Sequence, residues 1–284
     1  SVALPFTEQT SLGAYLKRWN VRVAANDPLR SASTRSLAYI ANSGESLSAA
    51  DVETVLEDAY VPGYRLNNHA LTNWFSETDA WWFDNVRKNI DKLQTPMSRA
   101  IASSVALATG DYALSFNSET RELRQPLSNV FRRLLSIQPV PFNNGQNNTS
   151  DNKIADDFIA ETPSDLMFLR LPQAHAQAER THLGRAAWRE EWLRGGSDFW
   201  ADLESSLHGK LGAATETKSQ YLHLLEETLR RASHNKKWAI AHVEDGFIQT
   251  QDIADTVAKI RRVDTVYTKD FSELTGTKAV IITS

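Results

Sequence analysis

Ser164-Asp165-Leu166-Met167-Phe168-Leu169-Arg170-Leu171-Pro172-Gln173 opens polar, runs through four apolar residues and stops at a proline. A short apolar run bounded by breakers has the pattern of a parallel strand buried on both faces. In open α/β sheets, ligands gather outside the carboxyl ends of such strands. Arg170, Leu171, Pro172 and Gln173 stand at that end, so their chemistry bears most directly on whether the chain is a catalyst.

Working outward, Val2-Ala3-Leu4-Pro5-Phe6 predicts a first strand, and Leu12, Tyr15, Leu16 and Trp19 recur at helical spacing. Val21-Arg22-Val23-Ala24-Ala25 predicts a second strand ending on Asn26-Asp27, followed by a helix over 30–42 with Leu37, Tyr39 and Ile40 as its apolar face. Strand and helix alternating in this way predict an α/β fold, Rossmann-like, with a mostly parallel doubly wound sheet. Residues 48–142 read as a helical insertion: one helix over 51–60, a second behind the capping-box sequence Ser76-Glu77-Thr78-Asp79, and a third over 98–113. Residues 143–153, rich in Asn, predict a flexible linker. The second half of the sheet, 154–284, is expected to resume with a strand at 155–159 and the 164–173 strand, and to carry a second helical insertion at 174–235. Strands over 238–243 and 263–267 flank a helix over 253–260, and 279–282 is expected to pair with the last of them as an antiparallel edge. Glu244-Asp245-Gly246 reads as a turn, and His242 as a satisfied polar residue at a strand end.

With 41% hydrophobic residues and eight Trp, the chain of 284 residues has the material for a substantial core. It has no Cys, which excludes disulfide and thiolate chemistry and fits a cytoplasmic setting. No signal peptide and no run of membrane-spanning length is present, so no membrane association is expected. The start on Ser1, with no Met, leaves room for residues upstream. The net charge of −4 means that any nucleic-acid contact must come from local basic clusters. Two such clusters stand out. Arg121, Arg124, Arg132 and Arg133 bracket the end of the first insertion, and Arg180, Arg185, Arg189 and Arg194 interleave with Trp188 and Trp192. Arginine with tryptophan suits phosphate contact and base stacking. The alternative is a solvated helix whose tryptophans face the core. No His pair has metal-ligand spacing with supporting acids, so no metal is expected.

Taken together these pieces resemble the Dam-like class of DNA adenine methyltransferases. "VALPFTEQTSLGAYL" (2–16) is similar to that family's strand, F-x-G-x-G loop and helix, and "VRVAAND" (21–27) to its second strand. "DLMFLRLPQ" (165–173) lies where the family carries a strand ending in D-P-P-Y. "IAHVEDGFI" (240–248) resembles a later strand reading S-Y-N-x-x-G-x-I, and "WFSETDAWWFDNVRKNID" (74–91) a helix of the family's insertion. The resemblance implies a methyltransferase fold with an antiparallel C-terminal strand. It further implies S-adenosylmethionine as cofactor and methyl transfer to the exocyclic amine of a flipped adenine. Phe6, Glu8, Asp27 and Phe158 fall at the cofactor positions that it implies.

The departures fall on the chemistry. Arg170 stands where the family's acid accepts hydrogen bonds from the target amine, and a guanidinium only donates. Gln173 offers no aromatic face for the base, and Glu8 and Thr10 replace the loop glycines. Asp27 keeps an acid where many nucleotide folds bind ribose, but it suits equally a cap on the following helix. Arg170 fits a structural pair with an acid such as Asp27 or Asp156, or a phosphate contact, and Phe158 fits the core or an adenine stack. Read together, the losses predict a catalytically inactive adenine DNA methyltransferase-like protein without cofactor. It would act as a DNA-binding or scaffolding subunit with a protein partner, such as a methyltransferase or a restriction or defence subunit. The alternative is an active S-adenosylmethionine-dependent enzyme with an atypical or partner-completed site. A third reading takes the chain as another Rossmann-like binding protein, lacking the antiparallel final strand.

Overall fold

The computed structural model describes residues 1–57, 65–117, 119–244, 247–271 and 277–284. The apolar runs pair into one sheet of seven strands: β1 (Val2–Leu4), β2 (Val23–Asn26), β3 (Thr149–Asp151), β4 (Leu166–Arg170), β5 (Lys237–Glu244), β6 (Thr265–Asp270) and β7 (Lys278–Thr283). Their spatial order is β3-β2-β1-β4-β5-β7-β6. The central pairings are parallel, and β7 runs antiparallel to both β5 and β6. From β1 the chain winds outward to β2 and β3, then returns to β4 on the other side of β1. The order therefore reverses between β1 and β4, where crossovers diverge and open a crevice.

Helices follow the strands in order. α1 (Ser11–Arg18) joins β1 to β2, and α2 (Arg30–Ser36) follows β2 and continues as a π-turn over Leu37–Ala41. α3 (Ala49–Leu56), α4 (Glu77–Ile90), α5 (Pro96–Leu114) and α6 (Leu127–Ser136) occupy the first insertion. α7 (Ala155–Glu161) connects β3 to β4. α8 (Glu179–Leu183), α9 (Ala187–Arg194), α10 (Trp200–Leu207) and α11 (Lys218–Arg231) lie between β4 and β5, and α12 (Thr250–Ala258) follows β5. The capping signal before α4 is realised, with Ser76 accepting the Asp79 N–H. α1 lies close on the π-turn because Gly13 has no side chain: a Cβ there would stand 2.3 Å from Ile40 Cδ1.

The structure departs from the sequence reading in four places. The helix expected over 51–60 ends at Leu56, and residues 58–60 lie outside the described residues, as do Asp245 and Gly246 of the expected turn. The Asn-rich stretch expected to be a flexible linker contributes β3 and is tied to the sheet by its own side chains. Asn148 Oδ1 accepts the Val23 N–H at 2.9 Å, and Asn144 Nδ2 donates to the carbonyls of Lys17 and Val21. Asn152 Nδ2 donates to the carbonyls of Asp27 and Pro28. These amides bond backbone groups in β2 and in the segments before and after it. Residues 155–159 are helical, with Asp156 and Asp157 in the first turn of α7, where acids favour a helix start. Finally, β7 is not an edge but sits between β5 and β6.

Two bodies of core are the largest. One covers the sheet, with Met167, Leu169 and Ile240 packed against Phe158, Leu225 and Ile253. The other lies within the helical layer, where Phe75, Phe83, Ile90, Val105 and Phe131 of the first insertion enclose Trp188 and Trp192 of the second. The two insertions thus share a single interior, and Trp188 meets Phe75 edge-on at 5.2 Å between ring centroids.

Candidate functional site

A cavity of about 560 Å³ opens at the carboxyl ends of β1, β4 and β5 and beside the amino-terminal part of the antiparallel β7, in the crevice where the strand order reverses. Its size is in the range of small-molecule sites. The structure brings Phe6 and Glu8 of the β1 loop together here with Arg170, Leu171, Pro172 and Gln173 of the β4 loop. Leu171 is fastened by its N–H to the Ala241 carbonyl at 2.9 Å. Tyr221 of α11 donates its hydroxyl to the Pro172 carbonyl at 2.8 Å and also lines the cavity. Nothing in the spacing of α11 marked Tyr221 for this place. His242 lines the wall with its Nε2 hydrogen-bonded to the Ile248 carbonyl, a satisfied polar residue as read from the sequence.

Arg170 pairs neither with Asp27 nor with Asp156. Its Nε lies 3.1 Å from Glu8 Oε2, so the two residues that depart from the resembled motifs meet each other across the cavity mouth. Asp156 is out of reach because it is buried in another network, accepting from Thr228 and pairing with Lys210 and Arg231. Glu8 has a backbone φ of +43°, the left-handed conformation that favours glycine, so a glycine-type turn here carries a long acidic side chain. Both partners are substantially exposed, so the pair contributes at most about 1 kcal/mol to stability. Its effect is on the site: Glu8 is the only carboxylate among the described residues lining the cavity, and it is engaged with a guanidinium.

Asp27 lies beneath that turn, buried, and both carboxylate oxygens accept backbone N–H groups, Glu8 on Oδ2 at 2.8 Å and Leu29 on Oδ1 at 2.9 Å. It thereby ties the turn after β1 to the entry of α2, whose first N–H groups are accepted by Glu190 instead. Phe158 lies in the sheet core on α7 and does not line the cavity. Burial pushes the Asp27 carboxyl up to about 7, against the two backbone hydrogen bonds that pull it down. Burial also pushes Glu179 up to about 7, with Glu204 and Asp27 adding to the effect. Carboxyls raised in the folded state hold protons that the unfolded chain has already released. Their stabilisation is present below the unfolded pKa of about 4 and is lost as pH rises through about 7. Thermal melting is accordingly expected to give a lower midpoint at about pH 8 than at about pH 5.5. Glu179→Gln should shrink that difference, and a midpoint that rises with pH would refute the assignment.

The arginines are mostly consumed inside the protein. Arg124 makes a two-pronged pair with buried Asp79 at 2.7 Å, Arg189 pairs with Asp111 at 2.8 Å, and Arg132 pairs with Glu53 on the surface. Arg185 donates to the Leu114 carbonyl, while Arg121 and Arg133 are exposed. Arg194 pairs with Glu190, whose carboxylate also accepts the N–H groups of Arg30 and Ser31 at the start of α2. Arg180 reaches fully buried Glu191 at 2.7 Å, and the same carboxylate accepts the indole N–H groups of Trp74 at 2.6 Å and Trp200 at 3.0 Å. Trp188 and Trp192 face the core, so neither is presented for base stacking. A different group converges instead: Arg30, Arg87, Lys88 and Arg194 line a smaller cavity of about 260 Å³ beside α9 together with Asp84 and Asp91, which pair with Lys88 and Arg87. The sequence signal for it was obscured because its members are spread over residues 30–194.

Among the described residues no three His, Cys, Asp or Glu side chains are grouped to hold a metal ion, and no helix is long and apolar enough to cross a membrane. No protein-family model, curated protein or solved structure matches this chain.

Proposed function

We propose that this chain is a methyltransferase-like α/β protein that does not transfer methyl groups and serves as a DNA-binding or scaffolding subunit of a larger assembly. The observation that carries the reading is the Glu8–Arg170 pair across the mouth of the sheet crevice. A methyl donor carrying a sulfonium and a carboxylate would meet Arg170 and Glu8 there, with no free acid among the described lining residues to accept from a target amine. The strand order supports the same reading: it is the doubly wound order with one reversed strand inserted between β5 and β6, as the resemblance to Dam-like DNA adenine methyltransferases leads one to expect. It speaks against a Rossmann-like protein without the reversed strand. For the DNA contact, support is confined to Arg30, which shares a small cavity with Arg87, Lys88 and Arg194, while those three already engage Asp91, Asp84 and Glu190.

The test uses the chain with radiolabelled S-adenosylmethionine and adenine-containing duplex DNA. No methyl transfer is expected, and calorimetry should detect no binding of the cofactor. Transfer above background that is lost on changing Arg170 would overturn the non-catalytic assignment in favour of an active enzyme with an atypical site. Mobility shift should show duplex binding that weakens steeply with salt and is reduced by Arg30→Ala; binding insensitive to both would leave only the scaffolding role.

A further inference from the structure

A second cavity, of about 710 Å³, lies on the outer side of α1, away from the sheet crevice. Its walls come from α1, the π-turn, the loop that follows it, and the ends of α5 and α6, with Ala38, Tyr39, Ile101 and Leu135 as apolar surface. Its rim is the segment after α6, where Val140 is 85% exposed and Phe142 45% exposed. Large apolar side chains left open around a concave apolar wall are unusual for a surface that meets only water.

Lys17 lines this cavity and is 2% exposed. Its ammonium donates to the Asn42 carbonyl, and no acid pairs with it among the described residues. Among the described residues lining the cavity the one acid, Glu45, accepts from the Thr95 hydroxyl. An ammonium carries three donor protons, so a single carbonyl leaves two unused. A buried cation without a counter-charge is costly, and burial lowers the Lys17 pKa accordingly. Methionine would fill the same space at lower cost, so a lysine here calls for an anion.

We propose that this cavity binds a small amphipathic carboxylic acid, with the carboxylate on Lys17 and the apolar body lying along Ala38, Tyr39, Ile101 and Leu135 under the rim. This site is separate from the crevice and does not depend on the function proposed for it. The volume is that of a medium-sized ligand, and a few polar groups, here the cations Lys17 and Arg18 with Glu45, among apolar walls are the usual composition of such sites.

Octanoate and octan-1-ol are the probes, titrated by calorimetry into the whole chain. Octanoate should bind about tenfold more tightly than the alcohol, which has the same apolar body without the charge. Lys17→Met should remove that preference by weakening octanoate and leaving octanol unchanged. Val140→Glu, on an exposed rim residue that poses no risk to folding, should weaken octanoate by placing a like charge at the entrance. It decides the matter if Lys17→Met fails to fold. Equal octanoate affinity in the wild type and Lys17→Met, an unaffected Val140→Glu, or no octanoate binding at millimolar concentration would each overturn the proposal.

Discussion

Glu191→Ala is expected to lower the unfolding free energy by about 3–5 kcal/mol, the range found when one partner of a buried ion pair is removed. The carboxylate is fully buried and accepts three hydrogen bonds, from Trp74, Trp200 and Arg180, which together tie α8, α9 and α10 to the segment before α4. Arg180 is half-exposed and can turn to water once the acid is gone. The two indole N–H groups cannot, and an unsatisfied buried donor costs about 1–3 kcal/mol. That distinction separates Glu191 from the surface pairs of this protein, such as Lys236–Asp165, whose charges stay in water with or without each other. Glu191→Gln should fall between the wild type and Glu191→Ala. The amide keeps one acceptor oxygen, but its NH₂ group then faces the Trp74 N–H, donor against donor. Denaturant titration followed by tryptophan fluorescence reads both variants. A loss below about 1 kcal/mol for Glu191→Ala would mean that the indoles find other acceptors and that the carboxylate does not hold the helices together.

Trp188→Ala is expected to cost a similar amount, about 3–5 kcal/mol, because it empties the centre of the helical layer. The more telling result concerns Gly110, on the facing side of α5. A Cβ at that position would stand 2.2 Å from Trp188 Cη2, and the indole is held by Phe75 and Phe83 so that it cannot swing aside. With Trp188 present, Gly110→Ala should therefore destabilise by about 1–3 kcal/mol, overpacking outweighing the gain of about 1 kcal/mol that alanine brings to a helix interior. In a Trp188→Leu background the clash is gone and the helix gain remains, so the sign should reverse. A double-mutant cycle measures the reversal. Gly110→Ala having the same effect in both backgrounds would show that the glycine is not there to admit the ring.

The elements legible in the sequence are those whose burial is decided by the local pattern. β1, β2, β4 and β5 are apolar runs ended by Pro, Asn or Asp, and α4 announces itself through Ser76 and Asp79. What escaped is what depends on partners distant in the chain. β3 is three half-buried polar residues, held beside β2 by Asn148, which bonds Val23, and by Asn144, which bonds Lys17 and Val21 just before that strand. α7 was mistaken for a strand because Phe158 and Ile159 are adjacent and apolar, a pattern shared by short buried helices and strands. At the site, the residues at 170–173 could be placed from the end of their strand, and Phe6 and Glu8 through the resemblance. The partner of Arg170 could not, since Asp27, Asp156 and Glu8 are equivalent acids until the loops take shape. The arginine clusters misled for the same reason: Asp79, Asp111, Glu190 and Glu191, which claim most of them, are drawn from α4, α5 and α9.

The shared interior of the two insertions has a consequence for synthesis. A ribosome that has delivered residue 142 has made every helix of the first insertion, but Trp188 and Trp192 are still to come, and with them the filling of that layer. Phe83, Val105 and Phe131 then have no closing surface until α9 emerges. The nascent chain is thus exposed to premature association for the length of β3, α7 and β4, a window in which a holding chaperone would find its natural client.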